Sequence, residues 1–230
     1  MENNENGKKY YAVKIIIVGE HNVGKTNIIS RFADDESNNK VTIGVDYYKY
    51  NLEYKNKIFQ LTLWDTAGQE KFRAIIKDYY INCSFAIIVY DITDKKSFES
   101  VEHWVKDCKN NGNKNMHIVL LGNKIDLENE RKVSTEEGQN LANSFNMDFF
   151  EISAKTGENI ENIFEKICEF ISDNIDAGNY DFDKRNCGIT ILENIEEEEL
   201  KVNKSFNAIN LENVKGNKNR NSVRKKKCCK

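Results

Sequence analysis

The sequence predicts an α/β domain: a doubly wound, mostly parallel six-stranded sheet with one antiparallel edge strand and helices on both faces. Three observations carry that expectation. Short apolar runs at 12–18, 85–91, 117–122 and 148–152 are separated by segments of helical periodicity, which calls for parallel strands joined by crossovers. Two further runs, 47–54 and 58–64, are joined by only Lys55-Asn-Lys57, the spacing of a hairpin. Polar motifs stand directly after the runs, at the carboxyl ends of the strands, where ligands of such sheets bind.

Taken in order, the first run, Val13–Val18, leads into Gly19-Glu20-His21-Asn22-Val23-Gly24-Lys25-Thr26 and then into Asn27–Phe32. This is strand, glycine-bounded loop and helix with the G-x-x-x-x-G-K-[ST] spacing. The glycines let the loop fold back so that its backbone N–H groups point inward at an anion, helped by the helix N-terminus. Lys25 would reach β- and γ-phosphates, and the Thr26 hydroxyl would ligate Mg²⁺. Such an octapeptide also arises by chance, and its place after a buried-looking strand argues against that.

The run 58–64 ends in Trp64-Asp65-Thr66-Ala67-Gly68-Gln69-Glu70. An aspartate closing an apolar strand near a phosphate loop is placed to hold Mg²⁺. Gly68 could donate its N–H to a γ-phosphate, and Gln69 could orient an attacking water. The bland reading of Asp65, a strand-end turn carboxylate, has even standing until the whole heptapeptide is weighed. Phe98, Val101, Val105 and Cys108 then repeat at helical spacing.

After 117–122 comes Asn123-Lys124-Ile125-Asp126. The Asp126 carboxylate can accept hydrogen bonds from N1–H and the 2-amino group of guanine, donors that adenine lacks. The Lys124 stem can lie over a base, and Asn123 can tie this loop to the phosphate loop. Ser134-Thr-Glu-Glu137 is a capping box opening the helix that carries Leu141, Ala142 and Phe145. After 148–152, Ser153-Ala154-Lys155 would offer a backbone N–H to a guanine carbonyl. Ile160, Ile163, Phe164, Ile167 and Ile171 form the last helical stripe. Each short motif is weak alone; their order, one per strand end, makes the case.

The 230 residues suit one domain plus a tail, with 31% charged residues, no proline and a net charge of −3 that gives no global pull toward nucleic acid. The six cysteines form no C-x-x-C pair, so no zinc site is expected, and Cys83, Cys108 and Cys168 fall in apolar segments. Neither a signal-type N-terminus nor a run of 18 apolar residues occurs, so a reduced, intracellular, soluble chain is expected unless something attaches it to a membrane. Residues 1–10 read as a flexible segment, 11–176 as the nucleotide-binding domain and 177–230 as a mostly disordered tail. Within that tail Ile189–Ile195 is apolar enough to dock, at a place the sequence does not specify.

These motifs together resemble a Ras-superfamily small GTPase, most closely the Rab family, over residues 11–175. The resemblance implies a P-loop GTPase G domain that binds GTP and GDP with Mg²⁺ and hydrolyses GTP, slowly without a GAP. Thr42-Ile-Gly-Val-Asp-Tyr47 resembles the Rab switch I signature, and Thr42 stands where a threonine reaches Mg²⁺ and γ-phosphate. Leu63–Phe72 with Tyr79-Tyr80 resembles the strand–switch II signature, Gln69 and Lys25 taking the catalytic places. Ile43, Tyr47, Trp64 and Tyr79 occupy effector-reading positions; ordinary packing is the alternative for the aromatics.

Lys215–Lys230 holds eight basic and no acidic residues around Cys228-Cys229, similar to the doubly prenylated ends of Rab proteins. Two lipid chains anchor stably where one does not. The resemblance therefore implies the cytoplasmic face of an endomembrane with a soluble cytosolic pool. It also implies an exchange factor, a GAP, effectors and prenylation or GDI-type chaperones as partners in vesicle trafficking.

Three departures bear on mechanism. His21 and Asn22 replace small residues in the phosphate loop, the segment from Thr26 to Thr42 is short and lacks the aromatic that packs against guanine, and Tyr47 replaces phenylalanine. Two other readings stay open: a GTP-bound, membrane-anchored interaction module with little or no hydrolysis, and a P-loop kinase or ATPase, against which Asp126 argues.

Overall fold

The computed structural model describes residues 8–33, 45–68, 76–180, 182, 187–192 and 204–206. Six strands follow the predicted order with five helices between and after them, the helical stripe of Phe98, Val101, Val105 and Cys108 being divided between two of them. They are β1 (Lys9–Val18), α1 (Lys25–Phe32), β2 (Val45–Tyr54), β3 (Lys57–Thr66), β4 (Phe85–Asp91), α2 (Lys95–Glu99), α3 (Val101–Asn111), β5 (His117–Asn123), α4 (Thr135–Phe145), β6 (Asp148–Ile152) and α5 (Ile160–Asp176).

The sheet runs β6-β5-β4-β1-β3-β2, parallel throughout except for the β2–β3 hairpin. Its buried centre explains the unbroken apolar runs: all seven residues of β4 are buried, as a parallel strand covered on both faces requires. One face packs α1 and α5 through Ile28, Ile29, Phe32, Ile163, Phe164 and Ile167. The other packs α3 and α4 through Trp104, Val105, Cys108 and Ala142. Cys83, Cys108 and Cys168 are buried free thiols within these cores. Burial pushes the Cys83 thiol up to about 12 and raises the other two, which makes all three poor nucleophiles.

Two differences from the sequence-based expectation concern the ends. β1 begins at Lys9, inside the segment read as flexible, because Lys9 and Tyr10 continue the parallel pairing with Lys57 and Ile58 of β3. Among the described residues the sheet has eight strands where six were expected. Ile189–Leu192, in the segment read as tail, forms β7, antiparallel to β1, and Lys204–Phe206 forms β8, parallel to the last residues of β2. β2 is therefore not the outermost strand. Periodicity could not show either addition, since strands of four and three residues are too short to display a period.

The glycine-bounded loop and all the guanine-type motifs lie at one end of the sheet, at the carboxyl ends of β1, β3, β5 and β6. Thr42, Ile43, Gln69, Cys228 and Cys229 lie outside the described residues.

Candidate functional site

β1 delivers the chain into the phosphate loop at Val18, and α1 carries it away from Gly24, whose φ of 96° turns the loop into the helix. No side chain caps α1 and no acidic residue stands in its first turn, so no counter-charge of the chain offsets the positive helix end that an anion would use. Asn22 has φ 63°, a conformation asparagine tolerates, and both it and His21 are exposed on the loop.

Lys25 is 6% exposed, and its ammonium donates to the carbonyl oxygens of Gly19 at 2.9 Å and Glu20 at 2.8 Å. Desolvation lowers its pKa to about 8, partly countered by the charges of Asp65 and Glu20. A cation fixed on the phosphate loop beside the positive end of α1 is suited to phosphate oxygens.

Asp65, at the end of β3, is fully buried, and its Oδ2 accepts the Thr26 hydroxyl at 2.6 Å. The two hard oxygen donors converge as Mg²⁺ requires, since that ion takes one or two protein oxygens and completes its shell with phosphates and water. Gly68 lies against the phosphate loop: a Cβ added there would meet the Glu20 carbonyl oxygen at 2.4 Å and the His21 nitrogen at 2.6 Å. Only glycine permits that approach.

Asn123 closes the site from the other side. It is 1% exposed, its Nδ2 donates to the Val23 carbonyl at 2.8 Å, and its Oδ1 accepts the Ala154 N–H at 3.0 Å. One amide thus ties the phosphate loop to the loops after β5 and β6. Asp126 accepts the Ser153 hydroxyl at 2.7 Å on Oδ1, leaving Oδ2 facing Lys155 Nζ at 3.6 Å. The Ser153 hydroxyl also accepts the Thr156 N–H, which fixes its direction. Loops that share no sequence proximity are locked by side chains from one another.

One residue of this end escaped sequence reasoning. Asp91 closes β4, is 6% exposed and pairs with Lys124 Nζ at 2.6 Å, while its other oxygen accepts both the N–H and the hydroxyl of Thr93 at 2.8 Å. It holds the lysine whose stem was expected over a base. The signal was present: a carboxylate ending an apolar strand, the same signal that singled out Asp65.

Tyr47 and Trp64 sit opposite each other across the β2–β3 hairpin with ring centroids 5.4 Å apart, and Trp64 and Tyr79 are 5.0 Å apart. Tyr47 is 60% exposed. The three rings form one continuous surface beside the phosphate end.

A family model described as the Ras family matches residues 14–173. The chain belongs to the Ras family, in its Rab branch. It is 40% identical to the Ras-related protein RABA5e of Arabidopsis thaliana over 76% of this chain and 81% of the relative. It is 41% identical to the Ras-related protein SEC4 of Candida albicans over 70% of this chain and 78% of the relative. To the Ras-related protein Rab-13 of Rattus norvegicus it is 42% identical over 69% of this chain and 79% of the relative. As a Rab-family small GTPase it binds guanine nucleotide, hydrolyses GTP and serves vesicle trafficking, and neither the non-hydrolysing module nor the kinase reading is favoured.

Proposed function

We propose that this Rab-family GTPase is a membrane-anchored switch whose GTP state is held by Thr42 and Gly68 and ended by water oriented by Gln69. The convergence at one sheet end of Lys25, the Thr26–Asp65 pair and the Asn123–Asp126–Ser153 set carries this reading. Lys25 and the loop N–H groups grip the β- and γ-phosphates, and Gly19, Glu20, His21, Asn22, Val23 and Gly24 form the cradle. Thr26, Asp65 and, in the GTP state, Thr42 hold Mg²⁺, which when bound neutralises charge on the phosphates. Asp126 reads N1–H and the 2-amino group of guanine, a backbone N–H of Ser153-Ala154-Lys155 its carbonyl, and Lys124 and Lys155 cover the ring.

Ordering of both switch regions by the γ-phosphate presents Ile43, Tyr47, Trp64 and Tyr79 to effectors, and hydrolysis releases them. An exchange factor and a GAP set the two rates. Prenyl groups on Cys228 and Cys229, with the basic residues from Lys215 onward, place the protein on the cytoplasmic face of an endomembrane, and GDI-type chaperones supply the cytosolic pool.

Nucleotide competition tests the core of this. Wild type should prefer GTP over ATP and over xanthosine triphosphate. Asp126→Asn should lose GTP affinity by about 100-fold or more and take xanthosine triphosphate better than wild type does, because the swapped amide meets an oxygen where guanine has an amino group. ATP competing as well as GTP at the wild-type site would refute the guanine assignment. A tagged protein should lie on an endomembrane, and the Cys228→Ser, Cys229→Ser double variant should become cytosolic; an unchanged location would remove the anchoring step.

A further inference from the structure

β4 begins opposite Ile15, whereas β1 begins at Lys9. From Lys9 to Lys14, β1 therefore has β3 on one side and no crossover strand on the other. An open strand edge accepts any extended chain that fits it. The edge is filled by Ile189–Leu192, with Val13 opposite Ile189 and Tyr10 opposite Leu192.

The fit is specific. Ile189 is 3% exposed and joins the core of Tyr11, Val13 and Phe59. Lys14 N–H donates to the Gly188 carbonyl at 3.3 Å, and Ser84 N–H donates to the Lys14 carbonyl at 3.0 Å. The buried Ser84 hydroxyl lies 3.1 Å from both of those carbonyl oxygens, where β4, β1 and the incoming chain meet. Gly188 has φ 70°, and a Cβ there would sit 2.4 Å from Ser84 N, so no other residue enters at this point without strain. Yet the pairing is four residues long and Ile191 remains 42% exposed, so the strand is held locally and can exchange.

We propose that this notch is a peptide-binding site for an extended strand carrying glycine followed by a buried aliphatic residue, and that residues 187–192 are its resident ligand in cis. The site lies at the amino end of β1, away from the phosphate loop, so its occupancy decides where the C-terminal tail leaves the domain without touching the nucleotide.

The test uses the full-length GDP-loaded chain and a fluorescent peptide of residues 187–195. Gly188→Val and Ile189→Asp should each raise amide exchange in residues 9–14 by about tenfold or more. Both variants should take up the labelled peptide, reject a peptide with the same Gly→Val change, and keep GDP affinity within about twofold, the sites being remote. On wild type, excess unlabelled peptide should raise exchange in 187–192 while 9–14 stay protected, a measurement independent of how the variants fold. Unchanged exchange at 9–14 in both variants, or no peptide effect on wild type, would overturn the proposal.

Discussion

Lys25 brings its charge into a space that water hardly reaches, and the two loop carbonyls it contacts only partly replace hydration. Its pKa is lowered to about 8 from the ordinary 10.5. In that window the unfolded chain binds the proton that the folded chain has lost, so nucleotide-free stability rises with pH between about 8 and 10.5. Below pH 8 the cost of burying the charge is fully present, on the order of 3 kcal/mol. Unfolding of nucleotide-free wild type and Lys25→Met across this range checks it: the rise should be present in wild type and missing in the variant. His21 acts at the same scale. Gly68 rests on the backbone of Glu20 and His21, so position 21 adjoins the start of the segment that carries Gln69. His21→Gly should speed single-turnover GTP hydrolysis; an unchanged rate would mean that crowding there does not matter.

At the scale of elements, α4 shows the closest correspondence between sequence and structure. The capping box is formed as its residues predict: the Ser134 hydroxyl accepts the Glu137 N–H, and the Glu137 carboxylate accepts the Ser134 N–H. Lys95 pairs with the same carboxylate and, with the Ser134 N–H, holds it down to about 2. Ser134→Ala should cost about 1 kcal/mol, read by denaturant unfolding. The asparagines tell a different story. Asn22, Asn56, Asn82, Asn146 and Asn159 all occupy left-handed backbone positions, which no helical or strand period announces. Asn146 ends α4 at φ 57°, and replacing it with glycine should leave stability unchanged to within a few tenths of a kcal/mol.

The long strands and helices, the phosphate loop and the guanine motifs were legible because each rests on a local period or a fixed spacing. Asp91 carried the strand-end signal that singled out Asp65, but its role was not legible, because it depends on Lys124, a partner from another strand end. That Ile189–Leu192 docks was legible, but its place was not, and β8 was missed, because pairing of so few residues is decided by the edge that receives them, which no local pattern encodes.

At the scale of the whole molecule, the described residues form two apolar layers, one on either side of the sheet. Ile163 of α5 belongs to one and Ile88 of β4 to the other. Ile163→Val and Ile88→Val should each cost about 0.5–1.5 kcal/mol, and the double variant should equal the two together within about 0.5 kcal/mol. Equilibrium unfolding of the four proteins checks this, and a larger discrepancy would mean that the layers communicate through the sheet.

The strand that receives β7 at its amino end is the strand that releases the phosphate loop at its carboxyl end. That arrangement has a mechanical meaning. Among the described residues, a pull from the C-terminal side would meet the three-residue pairing of β8 and the four-residue pairing of β7 before the ten-residue β1. Pairings that short are expected to part first, which would make the two strands a fuse between the chain's end and the nucleotide loop.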